Sequence, residues 1–213
     1  MNRYIGEDPS IAHFGISIID TKSKKIILDD IGQPKGNDFM MTSWAIANLY
    51  NEFQNKYGRL VTKDTVIAQE APIQTGIMSS HLFALGTYFY LNLGKESDYK
   101  NIKTYHVMKL RKFHKKKYTK KDTIEVVEKI LDVFENNGYE ILVVNSRTKK
   151  SLSITDGEAD SFMYAISNYV IYENNKIAKI VLDMFPNLKL ITSIEEDKYE
   201  VKWLCSSDKR RDF

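Results

Sequence analysis

The sequence predicts an α/β fold in which a mixed central sheet carries helices on both faces. Apolar segments of strand length alternate along the chain with segments whose apolar residues recur every three or four positions. The first strands follow one another at short intervals, as in a meander, whereas helices separate the later strands. A chain of 213 residues suits one globular domain, or one domain with an extension.

The first half of the chain opens with the predicted meander. Two or three strands joined by tight turns are predicted over the segments 3–8, 14–19 and 25–28. A helix is predicted from residue 37 or 38 to Gly58, and a short buried strand at 65–69 that ends at Glu70. Pro72 stops this last strand because proline cannot donate a backbone hydrogen bond. A second helix, 76–93, is apolar nearly all round, which indicates a buried helix or a subunit interface.

The second half alternates strands with helices. A strand is predicted at 101–107, an amphipathic helix at 121–136, a strand at 139–144 and a late helix from Thr155 to about Tyr172. The tail from residue 177 contains pieces that resemble strands, around 180–182 and 188–194. We therefore expect a domain over 1–176 and an extension over 177–213 that packs on it.

Composition excludes several classes of protein. Hydrophobic residues make up 43% and aromatic residues 12%, enough for a sizeable core and too much for a disordered chain. No apolar run approaches the length of a membrane span, and the N-terminus lacks the apolar core of a signal peptide. The single cysteine, Cys205, supports neither a disulfide framework nor a zinc site. We expect a protein of a reducing compartment, the cytoplasm.

Positive charge is concentrated in one segment. The net charge is only +3, but residues 109–121 contain eight lysines or arginines and no acid. Such a segment is either a phosphate-binding surface or a solvated loop, and composition alone does not separate the two.

Three acids fall where elements of the sheet meet. Asp8 closes the first strand, Glu70 ends the strand VIAQE, and Asp160 lies in the first turns of the late helix. Carboxylates at strand ends and at a helix start can converge at one edge of a sheet, where they could hold two divalent ions. Mg2+ prefers carboxylate and water oxygens, and no histidine has the spacing of a metal ligand. Each acid alone is as readily a solvated turn residue, so the prediction depends on all three together.

The segments around these acids resemble the RuvC-type Holliday junction resolvases. IGEDPSIAHFGISIID is similar to the opening of that family, VIAQEAPIQTG with the following small-residue helix to its second acidic strand, and EADSFMYAISNYV to its final helix. The three motifs stand in family order over about residues 3–172. The resemblance implies an RNase H-like fold, a homodimer, and Mg2+-dependent nicking of branched DNA, with Mn2+ able to substitute and no organic cofactor or membrane involved.

The resemblance carries the metal-binding acids over to Asp8, Glu70 and Asp160. The family usually has an acid or a histidine three residues before the last aspartate, where this chain has Gly157. Asp156 and Glu158 are the candidates for this fourth ligand. Thr155 and Glu158 fit a capping box, which gives Glu158 a structural role, whereas Asp156 lies one turn before Asp160 on the same helical face. We therefore favour Asp156.

The family also uses two lysines before its third helix. Lys109 matches the first, and Lys121 matches the second, with Lys120 as a close alternative. A lysine near the scissile phosphate stabilises developing charge and anchors the strand. Either could equally be one more solvated lysine of a basic loop.

The chain also departs from the family. Ile73 stands where the family often has an aromatic residue that stacks at the junction centre, the loop after Lys109 is unusually basic, and 139–154 looks like an insertion. These departures predict strong charge-driven binding and cleavage of several branched substrates. The composition, rich in lysine, asparagine and isoleucine, suggests a bacterial or phage source, and hence a bacterial or phage-infected cytoplasm.

Three other functions compete with this interpretation. The acids would equally serve a nuclease of RNA–DNA hybrids or of unbranched DNA, whereas the presence of acids at all three expected positions argues against a catalytically inactive nucleic-acid-binding module. An actin-like kinase or chaperone ATPase also begins with a strand, an acid and a turn. It needs a second glycine-rich phosphate loop, which this chain lacks, and more residues than it has.

Overall fold

The computed structural model describes residues 3–9, 14–31, 45, 48, 51–58, 65–70, 102–105, 119–144 and 153–185. The helix predicted at 76–93, the piece at 188–194, Lys109 with most of the basic segment, and Ile73 lie outside the described residues.

Six strands form one mixed sheet. They are β1 (Arg3–Pro9), β2 (Phe14–Asp20), β3 (Lys25–Asp30), β4 (Thr65–Glu70), β5 (Ile102–Tyr105) and β6 (Glu140–Val144). Their order is β5-β4-β1-β2-β3-β6, in which β1, β2 and β3 are antiparallel neighbours. Strand β4 is parallel to β1, β5 to β4, and β6 to β3. A meander flanked by parallel strands confirms the predicted mixed sheet of RNase H-like type, with β6 added at the edge beside β3.

Three helices complete the described fold, together with a helical segment at 51–57. They are α1 (Lys120–Glu135), α2 (Asp156–Tyr172) and α3 (Lys176–Met184). The segment 51–57 ends at Gly58, whose φ of +86° lies in the left-handed region that residues with a side chain rarely adopt. None of the helices among these residues is long and apolar enough to cross a membrane.

The prediction of a strand around 180–182 is wrong. These residues lie within α3, which begins after Asn175, whose side chain accepts a hydrogen bond from the Ala178 amide at 3.0 Å. The β-branched pair Ile180–Val181 favours a strand locally. Burial of Ile177, Ala178 and Val181, which share one face of a helix, outweighs that preference.

The two faces of the sheet have separate cores. Strand residues such as Tyr4, Ile19 and Leu28 pack beneath α1, α2 and α3. The alternate residues, among them Ile16 and Ile18, pack with Phe53 of the helical segment 51–57. Because successive strand residues point to opposite faces, each strand position can be assigned to one of these cores. Position 8 thus belongs to the face that α2 covers.

Candidate active site

The predicted acids of the sheet occupy one row across its strands. Glu7 pairs with Gln69 between the parallel strands β1 and β4, so Asp8 and Glu70 stand at the next level together. On the other side, Asp8 pairs with Gly15 of β2, and Gly15 pairs with Asp30 of β3. This row, Glu70–Asp8–Gly15–Asp30, crosses four neighbouring strands where β1 and β4 end. The backbone register therefore brings the two strand acids of the prediction side by side.

Two glycines let α2 lie directly on this part of the sheet. A Cβ atom added to Gly15 would stand 2.1 Å from the carbonyl oxygen of Gly157, and one added to Gly6 would stand 1.8 Å from the carbonyl oxygen of Ser161. Both distances are far inside van der Waals contact, so neither position admits a side chain without movement of the helix. Gly6 lies two residues before Asp8 on β1, and Gly15 pairs with Asp8 from the neighbouring strand β2. The turn of α2 that contains Asp160 therefore passes over Asp8.

Hydrogen bonds between small side chains hold this turn of α2 on β2. The hydroxyls of Ser17 and Ser161, both fully buried, lie 2.7 Å apart, and the Ser17 hydroxyl also donates to the carbonyl oxygen of Glu158 at 3.3 Å. Buried hydrogen bonds of this kind each contribute about 1 kcal/mol, but a partner left unsatisfied costs more. The serines thus fix the position of α2 along the strand as well as its distance from it.

A capping box begins α2, as the sequence predicts. The Thr155 hydroxyl accepts from the Glu158 amide at 3.2 Å, and the Glu158 carboxylate accepts from the Thr155 amide at 2.7 Å. Glu158 is fully buried in this role. One oxygen of its carboxylate is therefore committed to the helix start.

Asp8 and Asp160 are both buried, with 8% of each residue exposed. Burial of a carboxylate is costly unless nearby dipoles or cations stabilise its charge. The start of α2, where the helix dipole is positive, lies on the same face of the sheet as Asp8. A bound cation would offset the charge of both carboxylates, so Asp8 and Asp160 remain the candidate ligands.

Asp156 faces the start of another helix. Its carboxylate forms an ion pair with the ammonium group of Lys120, the first residue of α1. About a third of the Asp156 side chain remains exposed, so it is the more accessible acid of α2's first turn. Lys121, the next residue, is exposed on α1. Of the two lysines that the sequence leaves open, Lys120 is the one that contacts a predicted site acid.

A metal site at these acids remains a prediction. Within the ranges that the structure describes, no group of three or more His, Cys, Asp or Glu side chains could by itself hold a metal ion. The side chain of Glu70 is not among those described, so the third member of the cluster is known only by its register. The four acids and Lys121 remain predictions as site residues, as does Lys109.

Sequence reasoning missed Asp30. This residue is fully buried and lies in the acidic row, with one carboxylate oxygen 3.5 Å from the Thr155 hydroxyl. The sequence did carry one indication of its position. Successive residues of β3 point to opposite faces of the sheet, so residue 30 faces the same core below α2 as Leu28. A buried acid at that position is unusual enough to need a function or a partner.

Two solved structures are similar to the chain. No protein-family model matches the chain, and no curated protein matches it. The chain is similar to T. thermophilus RuvC in complex with a Holliday junction substrate, with 11% identity and a TM-score of 0.46 over 88% of this chain and 98% of that one. A Thermus thermophilus RuvC structure aligns with 12% identity and a TM-score of 0.46 over 87% and 97% of the two chains.

Proposed function

We propose that this chain is a divalent-metal-dependent endonuclease that nicks branched DNA. The observation that carries the proposal is the close packing of α2 on Gly6 and Gly15, which sets Asp160 over the strand end where Asp8 is buried. This packing excludes any side chain at both glycine positions and buries a carboxylate. Neither feature is expected from selection for stability alone.

The donor set fits a hard cation. Asp8, Asp160 and Asp156 offer only carboxylate oxygens, the ligands that Mg2+ prefers, and Glu70 stands level with Asp8 in the sheet. Mg2+ is the proposed ion and Mn2+ its substitute. When bound, such ions make a hydroxide available near neutral pH and stabilise the leaving oxygen of a phosphodiester.

The remaining residues orient the acids and the substrate. Glu158 caps α2 and is not needed as a ligand, so Asp156 is the fourth one. Lys120 neutralises Asp156 in the protein alone, and its ammonium group is placed to meet a phosphate when the acid binds metal. Lys109 and Lys121 would extend this positive surface toward the DNA backbone, as the basic segment implies.

The first test is nicking of DNA in Mg2+ by the wild type and by Asp8→Asn. We expect the substitution to lower the rate by about 10³-fold, since a carboxylate that holds the ion is removed. Asp20→Asn is the matched control, because Asp20 ends the partner strand β2 at the opposite end of the sheet and should leave the rate unchanged. Equal nicking by wild type and Asp8→Asn would contradict the proposal.

The second test concerns the substrate. Four-way junctions, three-way junctions, flaps, linear duplexes and RNA–DNA hybrids of equal length should be compared at one salt concentration. We expect several branched DNAs to be cut and the linear duplex to be spared. A strict preference for the four-way junction would restrict the proposal to that substrate, whereas preference for the hybrid would replace it with an RNase H-like activity. A homodimer is part of the proposal, and sedimentation of the full chain tests it.

A further inference from the structure

The structure assigns to Asp30 the role of a positioning residue, one that holds the start of α2 so that its acids meet those of the sheet. The role concerns the site proposed above and so rests on the proposed function. Asp30 is 0% exposed and belongs to the same row as Asp8, on the other side of Gly15.

Gly157 separates the two flanks of the helix start. Its backbone lies directly against Gly15, the residue between Asp8 and Asp30 in the row. One flank of α2 is therefore close to Asp8 and the other close to Asp30. The contact of Asp30 with Thr155 confirms that Asp30 meets α2 at its N-cap and not at the turn of Asp160.

The Thr155 hydroxyl links the Glu158 amide to the Asp30 carboxylate through two hydrogen bonds. The Thr155 hydroxyl accepts from the Glu158 amide at 3.2 Å, so its own proton is available to donate, and Asp30 accepts it over 3.5 Å. At 3.5 Å the contact is at the upper limit for a hydrogen bond, and the full burial of Asp30 shields it from competition with water. The N-cap is thereby tied to β3 as well as to its own helix.

This tie adds a connection to β3 to the contacts that hold the first turn of α2, which include the ion pair between Asp156 and Lys120. The glycines limit how closely α2 can approach the sheet, and the serines hold its second turn on β2. The first turn, which carries Asp156 and leads to Asp160, is held at its start by Thr155. Without the bond from Thr155 to Asp30, rotation of that turn would carry the α2 acids away from Asp8, and metal affinity would fall.

The experiment measures Mn2+ binding directly, by electron paramagnetic resonance of the free ion, in the full chain without DNA. We expect Asp30→Asn to weaken binding about 10- to 100-fold, the usual effect of losing a group that orients metal ligands. Asp29→Asn is the matched control: Asp29 is 1% exposed and adjacent in sequence, but it faces the opposite side of the sheet. It should leave Mn2+ affinity unchanged even if it costs similar stability.

Two Thr155 variants keep the test decisive if Asp30→Asn does not fold. Thr155→Val removes the hydroxyl and should weaken binding, whereas Thr155→Ser keeps the hydroxyl and should restore it. In the double variant Asp30→Asn with Thr155→Val, we expect the loss to match the larger single loss instead of the product of both, because the two residues act through one contact.

The outcomes separate this role from the proposed function. If the wild type binds Mn2+ and the Asp30→Asn and Thr155→Val proteins, folded by circular dichroism, bind it equally well, the positioning role is overturned and the proposed function stands. If Asp29→Asn weakens binding as much as Asp30→Asn, the effect is one of general stability and the role is likewise overturned. If the wild type binds no Mn2+, both are overturned.

Discussion

The two ends of the β1–β2 hairpin use acidic residues in different ways. At one end Asp20 accepts hydrogen bonds from Arg3 at 2.9 Å and from the Lys22 and Ser23 amides, and nearby Lys25 pairs with Glu140. At the other end Asp8, Asp30 and Asp160 are buried against the start of α2. Pairing beside solvent stabilises a turn at small cost, whereas buried carboxylates crowded around one helix start oppose folding unless cations offset their charge. The candidate site is proposed at the end where the carboxylates are buried.

The largest expected difference between the two ends concerns their glycines. Gly15→Ala should destabilise the protein by about 3 kcal/mol or more, since its Cβ would overlap the Gly157 carbonyl. Gly138→Ala, at the other end, meets nothing closer than the Lys24 ammonium at 4.0 Å and carries only the strain of its φ of +84°, about 1 to 2 kcal/mol. Urea unfolding of both variants measures the difference. Equal losses would mean that α2 does not press on the sheet at Gly15.

A smaller effect is expected from the lysine beside the acids. Lys120→Met should lower the nicking rate by about 10²-fold, because Asp156 loses its cation and the substrate loses a nearby ammonium group. Lys121→Met, which changes the exposed neighbour on the same helix, is the matched variant. Single-turnover rates on a branched substrate compare the two. A greater loss in Lys121→Met would return the site role to Lys121.

The smallest effect is expected at the far end. Burial raises the pKa of Asp20, but hydrogen bonds from the Ser23 amide and from Arg3, with the charge of Arg3, lower it further than burial raises it. The folded-state pKa therefore lies below the ordinary value of 3.8. The stabilisation by Asp20 is therefore present above pH 3.8 and is lost as the pH falls through the folded-state pKa.

Asp20→Asn should accordingly cost about 1 kcal/mol or less at neutral pH, because the pair is close to solvent. The difference from wild type should vanish in acid. Thermal unfolding from pH 7 down to pH 2 checks both statements. A difference that grows as the pH falls would show that the sign is wrong, and any loss of nicking would break the contrast between the two ends.

Much of the fold could be predicted from local patterns because those patterns match the burial they produce. The spacing of Val127, Ile130 and Phe134 defined α1, and all three are buried. The capping box of Thr155 and Glu158 could be predicted because both partners lie within one helical turn. The run 180–182 was wrongly predicted as a strand because β-branched residues favour strands locally. It is helical because Val181 is buried on the same helix face as Ile177 and Ala178.

Part of the candidate site could also be predicted from local sequence patterns. Asp8, Glu70 and Asp160 could be proposed because each ends a strand or begins a helix, features that sequence patterns locate. Asp30 could not, because the residue that it contacts, Thr155, lies 125 positions away in the chain. The contact of Lys120 with Asp156 likewise depends on how the starts of α1 and α2 meet.

The sequence by itself determined the type and order of the described elements, apart from α3, and the acids that end or begin them, because these follow from periodicity, caps and strand ends within a few residues. Only the tertiary structure decided which residues meet: the register that sets Asp8 level with Glu70, the contact of Gly15 with Gly157, and the bond of Thr155 to Asp30. Strand pairing and helix packing join residues far apart in the chain, and no local pattern encodes their distances.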